Sequence, residues 1–464
     1  MDLIIKNGIV ITMDKERRIL KNGAIAIEEN RIIDVGKTED LEKKYNADRK
    51  IDAKGMIVMP GLICVHNHMF AYLLRNMVIT PPIGLDTSET FGKRLTTWYW
   101  PKFEDTCTKE DAYVGALLMS ADMLKNGITC TADTLEAPNA IPEALDMTAK
   151  AVEETGIRAI LTFEASERLS IENGELGFKT NLEFLKKWNS KKDSRIKGAM
   201  CVHTAFSCSP DYLVKTKRAA VENNARILIH IAQSPFEVEF IKENYGKRGS
   251  IFFLNDLGFL GPDVLAAHCI YVSDEELDII SRTDTKVAFN VLSNMRAGNG
   301  VAPVLKLLRK GVTVGLGLDG DWADVFELIM CTNYLLSVYH LQRNILKAEK
   351  LVEMATIDGA KALGLENEIG SIEVGKKADL ILIKIAGDVH FAPVEDYMHL
   401  IANYVRGPHV HTVIVDGNIV VENRSIKTIN EEEVIQKAEE QAKEYKKRVE
   451  SASSVQAWIP PWKK

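Results

Sequence analysis

What this chain has little of narrows it first. Its seven cysteines are odd in number and include no Cys-x-x-Cys pair. At positions 64, 107, 130, 201, 208, 269 and 331 they lie mostly in apolar, strand-like runs, and they read as reduced core thiols of a cytoplasmic protein. No apolar run approaches the ~20 residues that a membrane span needs. Asp2 and Lys6 sit inside the opening strand, where a targeting leader would be basic and then apolar. Positive charge is not in excess either, and a formal net charge of −7 argues against a nucleic-acid surface. With membrane and nucleic acid set aside, the expected partner is a small molecule.

Histidine is also scarce, at 10 of 464 residues, so its placement carries information. The run Pro60-Gly61-Leu62-Ile63-Cys64-Val65-His66-Asn67-His68 is an apolar strand that ends in two imidazoles. Strand side chains alternate with period two, so His66 and His68 share a face and form half of a metal site. His203, His230 and His268 end later apolar runs, and Asp319 follows Val312 to Leu318. Polar residues that repeatedly cap buried strands mark an active site on a barrel rim.

With 46% hydrophobic and 27% charged residues, the chain can bury an ample core. Short strands and turns fill residues 1–56, and the style returns over 371–428, where Asp416-Gly417-Asn418 reads as a hairpin turn. Neither end holds a core alone, so the two halves are expected to pack as one small composite β-sandwich. Between them, residues 57–370 alternate strands (61–66, 128–133, 157–163, 198–203, 226–231, 264–268, 286–290 and 312–318) with amphipathic helices such as Lys109–Asn126, Ala140–Thr155 and Asp274–Arg282. The pattern predicts an α/β fold, a (β/α)₈ TIM-type barrel. A doubly wound sheet fits less well, because its ligands would gather at one switch point. Residues 429–464 hold a charged helix and a tail, Trp458-Ile459-Pro460-Pro461-Trp462, expected to dock on a neighbour or subunit.

PGLICVHNH at 60–68, the strand-end His230 and His268, and GLGLDG at 315–320 together resemble the amidohydrolase superfamily, in its cytosine deaminase, chlorohydrolase and S-adenosylhomocysteine deaminase branch. The likeness runs through KNGIVITMD, MLKNGITCTAD at 123–133, GFLGPDVLAAHCIYVSDEE at 258–276, SNMRAGNGVAPV at 293–304 and GSIEVGKKADLIL at 370–382. It implies one divalent ion held by His66, His68, His230 and Asp319. The donor set suits zinc, with iron or manganese as alternatives. A water on such an ion has its pKa brought toward ~7. Asp319 would take its proton, His268 would orient or polarise the attacked centre, and His203 would bind substrate. On the loop after the first strand, Trp98 and Glu104 would cover the substrate and supply an acidic contact, or simply pack. Asn294 would reach the substrate periphery. Relatives are commonly oligomeric, so a homo-oligomer is expected.

Two departures stand out. Deaminases of this branch read His-x-x-Glu, whereas this chain reads His230-Ile231-Ala232-Gln233, and glutamine binds by two-way hydrogen bonding without shuttling protons. Glu237 or Glu239 could reach back as the acid, the leaving group could be one such as chloride, or His268 or water could protonate the ring. Phe289-Asn290 stands where many relatives have His-Asn, which favours a flat ring. The expected function is a metal-dependent hydrolase that releases ammonia from a purine, pyrimidine, pterin or triazine-like ring. A hydrolytic dechlorinase or other C–N hydrolase of the same fold, or a non-catalytic ligand-binding barrel, are the alternatives.

Overall fold

Parallel strands buried on both faces read as unbroken apolar runs, and the runs singled out above form such strands in the computed structural model. It describes residues 1–77, 84–85, 87 and 90–463. Leu62–Asn67, Ile128–Leu135, Arg158–Phe163 and Ile196–Gly198 make a four-stranded parallel sheet. Met200–Thr204, Ile227–Ile231, Val264–His268, Lys286–Phe289 and Val314–Leu316 make a five-stranded one. The strand expected over 198–203 is therefore two pieces flanking Ala199, one in each sheet. A parallel bridge between Ala165 and Val202 fastens the sheets beside that break. At the opposite edges the N–H groups of Leu318 and Asp319 donate to the His66 carbonyl at 3.0 and 3.2 Å.

Helices follow the strands where capping chemistry allows. Lys109–Lys125 starts at a capping box of Thr108 and Asp111, and Asp274–Arg282 at one of Ser273 and Glu276. The helix expected from Ala140 begins at Glu143 and stops at Gly156, whose φ of 84° lies in the left-handed region. One face of the parallel strands encloses Ile63, Val65, Ala132, Cys201, Leu228 and Ala267, while the other packs Leu62, Ile229 and Val287 against the helices.

The two chain ends pair edge to edge. Their strands form one continuous nine-stranded sheet, joined where Met56–Pro60 pairs antiparallel with Leu380–Lys384. Met56–Pro60 thus belongs to this outer sheet, and the chain enters the parallel strands only at Leu62, five residues beyond the expected start of the barrel at 57. Gly61 permits the crossing, since a Cβ there would lie 2.0 Å from Thr129 Oγ1. A buried bidentate ion pair, Arg158 to Asp379 at 2.8 and 2.9 Å, ties the outer sheet to the parallel strands.

The charged C-terminal helix, Glu431–Ser451, packs through Tyr445, whose hydroxyl donates to the Phe103 carbonyl at 2.8 Å. The tail docks on its own chain. Val455 N–H donates to Thr97 O, and Trp458 Nε1 donates to Arg168 O at 3.0 Å with its ring against Trp100 and Phe206.

Candidate active site

Side chains two apart share a strand face, so the enclosed face that carries Ile160, Cys201, Leu228 and Ala288 continues at the strand ends to Glu164, His203, His230 and Asn290. The first strand reaches the same end through a bulge. Cys64 pairs with Thr131 and Asn67 with Asp133, three steps against two, which rephases His66 and His68. His268 and Asp319 have φ values of 73° and 64°, left-handed backbone that non-glycine residues hold only under constraint from their surroundings. Gly317 lets the last strand pass, because a Cβ there would sit 2.1 Å from Asn290 Oδ1 and 3.0 Å from His66 Cβ.

These turns bring four donors together. Asp319 Oδ1 lies 3.0 Å from His66 Nε2 and 3.2 Å from His68 Nε2, and His230 Nε2 lies 3.1 Å from His66 Nε2. The ligand atoms of His66, His68, His230 and Asp319 fall within 4.8 Å of one another. Three imidazoles and a carboxylate whose free nitrogens and oxygen converge, buried, on one point fit a divalent ion. Burial pushes His66 down to about 3 and His230 and His268 to about 4, so these rings are neutral and able to ligate near pH 7. Burial opposes ionisation of Asp319, yet His268, His66 and His68 together hold its carboxyl well below the usual range. For His68 burial is outweighed by Glu136, Asp319 and Glu164, which raise it.

Beside this cluster lies a cavity of about 210 Å³ lined by His68, His203, His230, Gln233 and Asp319. Glu136, Tyr99 and Asp321 complete much of its wall. His203 and Gln233 thus stand where substrate contact was expected. His268 is fully buried behind Asp319, with Nε2 3.8 Å from Oδ2, and meets the site through that carboxylate.

Other expected contacts fall elsewhere. Trp98 packs on Phe103 in the core, because Leu95 and Tyr99, four residues apart on one helical face, take the cavity side instead. Glu104 is buried in an ion pair with Arg168 at 2.9 Å and does not line the cavity. Phe289 points to the helices, since the enclosed face at that strand belongs to Ala288 and Asn290. Asn294 is buried and presents Oδ1 to His268 Nδ1 at 2.9 Å, so it orients that ring and does not reach the cavity wall. Neither glutamate after Gln233 reaches back. Glu237 turns under the helix Pro235–Tyr245 toward the Gln233 N–H at 3.4 Å, and Glu239 pairs with Lys242 at the surface.

Sequence reasoning missed Glu136 and Glu164. Glu136 Oε2 lies 3.7 Å from His68 Nδ1, and Glu164 Oε1 lies 2.7 Å from His230 Nδ1. Both directly follow apolar strands, at Leu135 and Phe163, in phase with the enclosed face. The signal was the one applied to histidine and aspartate, namely a polar residue that caps a buried strand.

The chain belongs to the amidohydrolase family, whose model matches residues 57–420. It is 38% identical to a 5'-deoxyadenosine deaminase of Methanosarcina acetivorans, over 96% of this chain and 98% of that one. It is 34% identical to a 5-methylthioadenosine/S-adenosylhomocysteine deaminase of Desulforamulus reducens, over 95% and 98%. Its fold matches that of a zinc-bound adenosine deaminase from Xanthomonas campestris, with a TM-score of 0.87, 22% identity and coverage of 97% and 99%.

Proposed function

We propose that this chain is a metal-dependent aminohydrolase that replaces the exocyclic amine of an N-heterocycle with oxygen and releases ammonia. The relatives' names direct the reading to the adenine ring of a 5'-modified nucleoside. The observation that carries it is the convergence of His66, His68, His230 and Asp319 on one buried point beside the cavity.

In this reading those four residues hold the ion, zinc first and iron or manganese second. When bound, the ion supplies Lewis acidity that brings a water toward the ionised form near neutral pH. Asp319, kept as a carboxylate by its histidine neighbours, accepts the proton of the attacking water and returns it to the departing amine, which leaves as ammonia. His268 holds Asp319 in place and is itself held by Asn294. Gln233 binds the ring edge through its amide, and His203 presents an imidazole edge to the same cavity. Glu136 accepts from a donor on the ring or its substituent. Asp321 is paired with Arg296, which limits its own part to the cavity rim.

The two parallel sheets are two parts of a (β/α)₈ barrel over about 57–370, and residues 1–56 with 371–428 form the outer unit. Free cysteines, six of the seven buried, suit a reducing cytoplasm, and the working form is a homo-oligomer. Gln233 favours one second reading, hydrolytic dechlorination, because chloride leaves without protonation.

One assay separates the two. Zinc-loaded protein is offered 5'-deoxyadenosine, adenosine and chloro-s-triazines while ammonia and chloride are followed. Ammonia from the nucleosides supports the first reading, chloride with no ammonia supports the second, and silence on the whole panel contradicts both.

A further inference from the structure

Glu164 occupies an unusual position. It is the first residue after the strand Arg158–Phe163, at the seam where the two parallel sheets meet. Its own N–H donates to Leu135 O at 2.9 Å, and the carbonyl of the next residue, Ala165, accepts from His203 N–H at 3.0 Å. The backbone that carries this carboxyl is therefore fixed from both sides. The side chain is 2% exposed, and Oε1 lies 2.7 Å from His230 Nδ1. The His203 carbonyl lies 3.2 Å from the same nitrogen. The His203 carbonyl accepts from Nδ1, and the Glu164 oxygen beside it, which has no hydrogen bond of its own, adds negative potential there; both favour a proton on Nδ1, which leaves the Nε2 lone pair directed at His66 and Asp319. His68 is arranged differently. Its Nδ1 faces the Thr134 carbonyl at 2.9 Å, while Glu136 stands off at 3.7 Å and lines the cavity.

We infer that Glu164 is a positioning residue for the metal site. Its carboxyl, in contact with His230 Nδ1, favours the Nδ1-protonated tautomer that the His203 carbonyl also holds, and so tunes the affinity of the four-residue cluster for a divalent ion, whereas the adjacent Glu136 serves the substrate. The inference rests on the metal reading above and adds a division of labour between two buried carboxylates. A carboxylate on the distal nitrogen of a ligating imidazole fixes its orientation and raises its basicity, and removing such a partner weakens metal binding about 10- to 100-fold.

The test is zinc affinity of the full-length chain, stripped of metal and titrated against a chromogenic chelator without substrate. Glu164→Ala is expected to weaken binding about 10- to 100-fold, and Glu164→Gln less, because the amide keeps an oxygen beside Nδ1. Glu136→Gln is expected to leave zinc affinity within about threefold and to act on KM, since the Thr134 carbonyl keeps His68 oriented. Thermal unfolding of the metal-free variants shows whether each is folded, and Glu164→Gln decides if Glu164→Ala is not. Wild-type zinc affinity in a folded Glu164 variant, or equal losses in Glu136→Gln and Glu164→Gln, overturns the inference alone. A wild-type chain that takes up no zinc overturns the metal reading with it.

Discussion

A glutamine amide donates and accepts hydrogen bonds but moves no proton, and Gln233 lines the cavity where relatives of this branch carry the acid. In the proposed reading its amide holds a ring edge, so substrate binds well while turnover is slow. Gln233→Glu is expected to raise kcat for amine release about 100-fold or more, on the scale general acids contribute. Steady-state ammonia assays with adenosine and 5'-deoxyadenosine check this, and an unchanged or lower kcat on every active substrate removes proton transfer as the meaning of the substitution. The convergence of His66, His68, His230 and Asp319 was legible because each follows an apolar run. Trp98, Phe289 and Asn294 were misplaced for the opposite reason: their side of the chain depends on strand phase or helical facing, and a one-residue change of phase turns a wall residue into a core residue.

The helix Pro235–Tyr245 carries Glu237 on its buried side, where burial pushes the carboxyl from 4.5 up to about 7. Below pH 4.5 the folded and unfolded chains are both protonated there. Between about 4.5 and 7 the unfolded chain loses its proton while the folded chain keeps it, so stability falls across that window and stays low above it. Glu237→Gln removes this penalty, on the order of 3 kcal/mol above pH 7. Urea unfolding should therefore find the variant more stable than the parent at pH 8 and equal to it near pH 4. A variant no more stable at pH 8 would contradict the assigned burial cost. The starts of Lys109–Lys125 and Asp274–Arg282 were readable at this scale, since Thr108 with Asp111 and Ser273 with Glu276 write their capping boxes into the sequence, whereas Glu143–Thr155, which has no side-chain cap, was expected to start three residues early. The split of the fourth strand at Ala199 was not, because strand propensity is continuous through it and only the change of pairing partner divides it.

Across the whole molecule the outer sheet and the parallel strands are joined by the buried pair of Arg158 and Asp379, with Asp416 beside it. Removing Arg158 strands the buried Asp379 carboxylate, whereas Arg158 itself would keep Asp416, so Arg158→Ala is expected to cost about 3–5 kcal/mol. Replacing both with Arg158→Met and Asp379→Leu should cost less. Denaturant midpoints check the pair, and equal losses would mean that the ion pair is not what couples the two sheets. That the chain ends meet was inferable from their shared poverty in core residues. Their joining edge to edge required the pairing of Met56–Pro60 with Leu380–Lys384, which no local pattern announces.

The measurement that bears most directly on the account is metal content of the purified chain beside its His66→Ala/His68→Ala variant. One equivalent of divalent ion per chain, lost in the folded double variant, is the predicted result. A folded wild-type chain that binds no ion, or a double variant that binds as well as wild type, would contradict it.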